Sequence, residues 1–153
     1  CKIQDIRPGK LVKTYKHGYR KVIKIGKRSS TNNPDNWMEC MYKLPKENNM
    51  TDDLIISGLH GIMVESLTLE DIHKYKDLEA FHNLTKIDNM FVLVAAASNR
   101  FTKITDNNMY TYYHLILDNE GDINARYGVY ANGVLTETPT VKIFDENKFE
   151  LLE

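Results

Sequence analysis

The chain is predicted to be a mostly β domain with one helical insertion, on three observations. Short apolar runs alternate with Gly, Asn and Asp turns, an Asn-Gly pair sits between two strand-like segments, and a single stretch has helical periodicity. In order along the chain, Lys10–Tyr15 and Tyr19–Ile25 flank Lys16-His17-Gly18 and read as a hairpin. Arg28–Asn36 reads as a polar loop. Met38–Leu44 is a strand stopped by Pro45, and a second polar stretch, Lys46–Asp53, follows. Leu54–Ser57 and Ile62–Glu65 are strands joined by Gly58-Leu59-His60-Gly61. Thr68 then caps a helix whose first turn carries Glu70 and Asp71. Leu69, Ile72, Tyr75, Leu78 and Phe81 give it an apolar face, and Glu70 and Lys74 are spaced to pair at i,i+4. The insertion spans residues 66–83, and His73 and His82 are expected on its surface or rim.

Strand patterns resume at Phe91–Ala97, Tyr110–Asp118 and Arg126–Ala131. The last turns through Asn132-Gly133, suited to a type I′ turn, into Val134–Thr138. Residues 1–138 form the domain; 139–153 are expected to be a tail with an edge strand at Thr140–Phe144 and a frayed acidic end.

Composition bounds the function. The 153 residues suffice for one core without staples. Apolar and charged fractions of 42% and 27% are those of a soluble globular protein, and the longest apolar run, Met90–Ala97, is far short of a membrane span. Two cysteines, Cys1 and Cys40, make no disulfide framework, which points to a reducing, cytoplasmic compartment and a monomer. The net charge of −1 is unevenly placed: residues 1–28 hold ten Lys and Arg against one acid, and the rest hold ten against twenty. This is either a basic arm for nucleic acid, with Tyr15 and Tyr19 to stack, or a lysine-rich solvated face docked on an acidic remainder. The lysines are spread over strand positions, which favours the second.

The residues that carry chemistry are few. Cys1 brings a thiol, which can attack the carbonyl of a preceding residue and turn an amide into a thioester. Such a step needs a proton donor for the departing nitrogen and a donor for the oxyanion. His60 suits the first task, and Ser57, three residues earlier, can orient the amide or the oxyanion; a buried structural histidine is the alternative. His114 and Glu137 interrupt apolar strands, where simple alternation would also turn them outward. No C-x-x-C or H-x-x-x-H spacing supports zinc at Cys1, Cys40, His60 or His114. No glycine-rich phosphate loop or nucleophile elbow is present, and no cofactor is expected.

Three segments in order resemble the hedgehog/intein (Hint) family of autoprocessing domains. Ser57-Gly58-Leu59-His60-Gly61-Ile62 is similar to its Thr-x-x-His step, with serine in place of threonine. Tyr113-His114-Leu115-Ile116-Leu117, followed by Tyr130-Ala131-Asn132-Gly133-Val134-Leu135, is similar to its closing strands. Ile3-Gln4-Asp5-Ile6-Arg7-Pro8-Gly9-Lys10-Leu11-Val12 is similar to its early strand entry, with Lys10 in place of aspartate. The glutamate soon after Asn-Gly is most like the intein-like domains of large viruses and some bacteria.

The resemblance implies an N–S acyl shift at Cys1, His60 as amide protonator, Ser57 as its hydrogen-bonding neighbour and His114 where many inteins carry a thioester-resolving aspartate. The substrate would be the chain's own N-terminal flanking polypeptide, and the acyl acceptor water, a thiol or an amine. Two departures shape this expectation. Glu137-Thr138 replace the terminal His-Asn, which removes asparagine cyclisation and leaves N-terminal cleavage. Cys1 is two residues from Ile3, where the family usually has an opening strand and turn. Either that hairpin is condensed, or residue 1 is not the family's nucleophile. A Hint-like module without chemistry, for structure or interaction, is the competing reading.

Overall fold

Strands dominate the computed structural model, which describes all residues from Cys1 to Glu153. In chain order they are β1 (Leu11–Lys13), β2 (Tyr19–Thr31), β3 (Met41–Leu44), β4 (Leu54–Ser57) and β5 (Gly61–Val64). Helix α1 (Leu69–Asp77) follows. Then come β6 (Thr85–Ile87), β7 (Met90–Val94), β8 (Thr102–Lys103), β9 (Met109–Leu117), β10 (Gly128–Ala131) and β11 (Val134–Glu137). Helix α2 (Val141–Glu146) and β12 (Glu150–Leu151) close the chain.

The strands form three antiparallel sheets. In the first, β2 pairs with β1, β9 and β12. The second has the order β10-β11-β5-β7-β6, and the third β4-β3-β8. The Asn132-Gly133 turn has positive φ at both residues, 51° and 85°, as a type I′ connection between β10 and β11 requires. The larger core gathers Tyr42, Leu44, Ile62, Tyr75, Leu93 and Val94 between the second and third sheets and α1. A smaller one, with Val22, Ile25, Leu115, Leu117 and Tyr127, lies against β2 and β9.

Helix α1 begins as expected. Thr68 Oγ1 accepts from Asp71 N–H, and Asp71 returns a bond to Thr68 N–H, a full capping box. Glu70 does not meet Lys74; it accepts from Asn99 Nδ2 at 2.8 Å. Tyr75 is fully buried, and its hydroxyl donates to Val92 O and accepts from Val94 N–H, fastening α1 to β7. The helix ends before Phe81, which opens a 3-10 turn (Phe81–Asn83) and stacks on Tyr75.

Two expectations are corrected. The loop placed at Arg28–Asn36 starts only after Thr31, because β2 runs on through Arg28-Ser29-Ser30-Thr31 opposite β9. Their polarity reads as loop in one dimension, but across the strands the hydroxyls pair, Ser29 Oγ to Thr111 Oγ1 at 2.7 Å. The edge strand expected at Thr140–Phe144 is helix α2, with Thr140 as N-cap to Ile143 N–H. The edge strand lies further on, at β12, and docks on Gly26 and Lys27 of β2. Phe144 is buried beneath it, so residues 139–153 cover the sheet and are not a loose tail.

The basic N-terminal stretch, residues 1–28, also meets acids elsewhere in the chain. Arg20 meets Glu120, Lys24 meets Asp145 and Lys27 meets Glu150, at 3.2, 3.5 and 3.9 Å. No helix is long and apolar enough to cross a membrane.

Candidate functional site

The step from β4 to β5 carries the chain from the third sheet into the second. His60 N–H donates to Ser57 O at 3.1 Å, closing a tight turn. Ala95 N–H donates to His60 O at 2.8 Å, so both main-chain polar groups of His60 are engaged. Gly61 follows because a Cβ there would sit 2.6 Å from Leu93 O of β7. The ring of His60 is thereby placed at the end of β11.

There its Nε2 lies 3.2 Å from both the main-chain oxygen and the Oε1 of Glu137. Glu137 is only 6% exposed, and its Oε1 also accepts from Gly61 N–H at 2.9 Å. Arg126 Nη2 stands 3.6 Å from Glu137 Oε2. That guanidinium is held by Thr138 O and by Thr85 Oγ1. From the first sheet, His114 stands opposite Gly26 in β2 and lays its ring against His60, centroids 4.7 Å apart. Phe149 closes the far side of His114 edge-on, at 5.5 Å.

These groups line an open cavity of about 580 Å³. Ser57 belongs to its wall, but no hydrogen bond joins its hydroxyl to His60. His82 lines it too, as an exposed rim residue. Met38, Leu59 and Ile143 give the opening an exposed apolar border.

The environment sets unusual protonation states. Burial pushes His60 down to about 4, helped by the charge of Arg126 and opposed by the Glu137 carbonyl. Burial, with His60 alongside, pushes His114 down to about 3. Burial raises Glu137 to about 7, against the pull of Gly61 N–H, His114 and Arg126. At neutral pH the cavity therefore presents two uncharged imidazoles and a carboxyl group poised to gain or lose a proton. That is the equipment of general acid–base chemistry.

Of the residues singled out in the sequence, Ser57, His60 and His114 come together. Cys1 does not line the cavity. It is exposed; its Sγ accepts from Lys10 Nζ at 3.2 Å and donates to Lys2 O at 3.6 Å. Lys10 pairs with Val22, whereas His114 pairs with Gly26, so about 13 Å of strand separates the two places. Cys40 is buried in the larger core, its thiol against Met41 O and Ile104 O. No group of three or more His, Cys, Asp or Glu side chains is arranged to hold a metal ion.

The outward option for His114 and Glu137 is corrected. Glu137 ends a strand flanked by β10 and β5, and Thr136 and Glu137 are both buried, so alternation fails at the end of β11. His114 is covered because the chain after residue 138 folds back and sets Phe149 over that face of β9. Arg126 was missed altogether. A lone arginine at a strand start reads as a surface residue, and no local pattern distinguishes it.

No family model, curated protein or solved structure matches the chain.

Proposed function

We propose that this chain is an autoprocessing domain of the Hint type, and that the His60 cavity is where a peptide amide is activated and broken through a thioester. The observation that carries the reading is the convergence of His60, Ser57 and His114 on one open cavity, beside a buried carboxyl group. A neutral imidazole at physiological pH takes a proton from a thiol and returns it to a departing amide nitrogen. The apolar border at Met38, Leu59 and Ile143 suits a polypeptide substrate. With Glu137-Thr138 in place of His-Asn, the product is N-terminal cleavage and not splicing. The proposal includes a reducing compartment, in which Cys1 and Cys40 stay thiols.

Within this reading Cys1 is the nucleophile, and its segment must leave Lys10 and swing to the cavity. The position of Cys1 favours a second reading, a Hint-like module that performs no acyl shift at this residue. A folded reporter fused upstream of Cys1, treated with dithiothreitol and weighed by mass spectrometry, separates the two. Autoprocessing at Cys1 predicts thiol-accelerated release of the reporter that is lost in Cys1→Ala. An intact fusion around a folded domain after days supports the second reading.

A further inference from the structure

Glu137 is tied to His60 in two ways at once. Its main-chain carbonyl and its carboxylate Oε1 each lie 3.2 Å from His60 Nε2. A carbonyl oxygen only accepts, so the nitrogen facing it carries the hydrogen. The same Oε1 takes Gly61 N–H at 2.9 Å, and Gly61 directly follows His60. Glu137 thus bonds the ring through its main-chain oxygen and the backbone of the same turn through Oε1, which also lies beside the ring nitrogen.

The other ring nitrogen is left free. His60 Nδ1 makes no hydrogen bond within the protein. Nor is it sealed away, because the only buried side-chain polar atoms without a partner are Asn83 Oδ1 and Asp88 Oδ2. Nδ1 is therefore open to the cavity.

We propose that Glu137 is the positioning residue of this site: it holds His60 in the Nε2–H tautomer and so presents Nδ1 to the amide of a bound polypeptide. The proposal rests on the autoprocessing reading. In the cleavage step the attacking thiol gives its proton to Nδ1, and the sulfur bonds to the carbonyl carbon. As the C–N bond breaks, Nδ1 passes that proton to the leaving nitrogen, and the ring returns to neutral with Nε2–H unchanged. The Glu137 carboxylate beside Nε2 steadies the imidazolium that forms in between. No outside acid or oxidant is needed.

Nitrogen-15-labelled histidine and long-range proton–nitrogen spectra at neutral pH read the tautomer directly in the intact chain. The expected result is His60 as Nε2–H in the wild type and in Glu137→Asp, and a detectable Nδ1–H fraction in Glu137→Ala, where the main-chain carbonyl alone remains to hold Nε2–H. Cleavage of the reporter fusion should slow at least about tenfold in Glu137→Ala and recover in part in Glu137→Asp. His60 found as Nδ1–H in the wild type overturns the proposal, and that arm needs no variant to fold. An Nε2–H tautomer wholly unchanged in folded Glu137→Ala assigns it to the main-chain carbonyl alone and overturns the role given to the Glu137 side chain. A fusion that never cleaves, around His60 in the Nε2–H form, defeats the autoprocessing reading instead. A fusion that cleaves with His60 as Nδ1–H defeats only the role given to Glu137.

Discussion

The turn at Ser57–Gly61 and the segment at Cys1 carry the two halves of one proposed reaction, yet they are built differently. His60 is held by its own main chain, by Ala95, by Glu137 and by the ring of His114. Cys1 is exposed, and its thiol hydrogen-bonds to its neighbour and to Lys10. Acid–base groups must be desolvated and fixed to be tuned, and the fold does this at the junction of its sheets. A nucleophile that is also part of the substrate must be able to move. In the proposed reaction the contrast is therefore between a buried, fixed acid–base site and an exposed reactant.

Substitutions should show this asymmetry. The largest effect is expected at Gly61→Ala, where the new methyl group meets the β7 backbone and not a flexible side chain. A loss of about 3 kcal/mol in chemical unfolding is predicted. A loss below about 0.5 kcal/mol would mean that the turn is softer than the contrast requires.

The dependence of stability on pH comes next. His60 and His114 are lowered from 6.5 to about 4 and about 3, so each binds its proton more weakly when folded, and stability rises with pH up to 6.5. Glu137 is raised from 4.5 to about 7, so its contribution is lost as pH rises between those values. Between pH 4.5 and 6.5 two rising contributions outweigh one falling. Stability should peak near pH 6.5 and drop by about 3 kcal/mol at pH 4.5. Glu137→Gln removes the falling contribution and should steepen this slope. A flat profile in urea melts would show that the cavity is well solvated.

A smaller loss, about 1–2 kcal/mol, is predicted for Tyr75→Phe, which strands Val94 N–H beneath α1. Hydrogen exchange at Val94 checks it directly, with faster exchange expected. Cys1→Ser should change stability by less than about 0.5 kcal/mol, since the side chain is exposed. A larger loss would place Cys1 in a structural role and weaken the contrast.

Much of this was legible in the sequence where the signals are local. The capping box at Thr68 and Asp71, the Asn132-Gly133 turn and the tight His60 step depend on neighbours a few residues away. Contacts between distant segments were not legible. Ser29 and Ser30 looked like loop until Thr111 and Tyr110 stood opposite them. Thr140–Phe144 looked like a strand because valine, isoleucine and phenylalanine suit one, but Thr140 caps a helix that seats Phe144 in the interior. The same limit applied at the site. Ser57, His60 and His114 were identifiable as unusual residues, whereas the burial of Glu137 and the approach of Arg126 depend on how β10 and β11 end.

The central claim is that the chemistry belongs to the His60 cavity. Its most direct measurement is the rate of dithiothreitol-driven release of an upstream reporter, wild type against His60→Ala, both shown to be folded. The account predicts release in the wild type and a rate lower by about a hundredfold or more in the variant. Equal rates in the two proteins would contradict it.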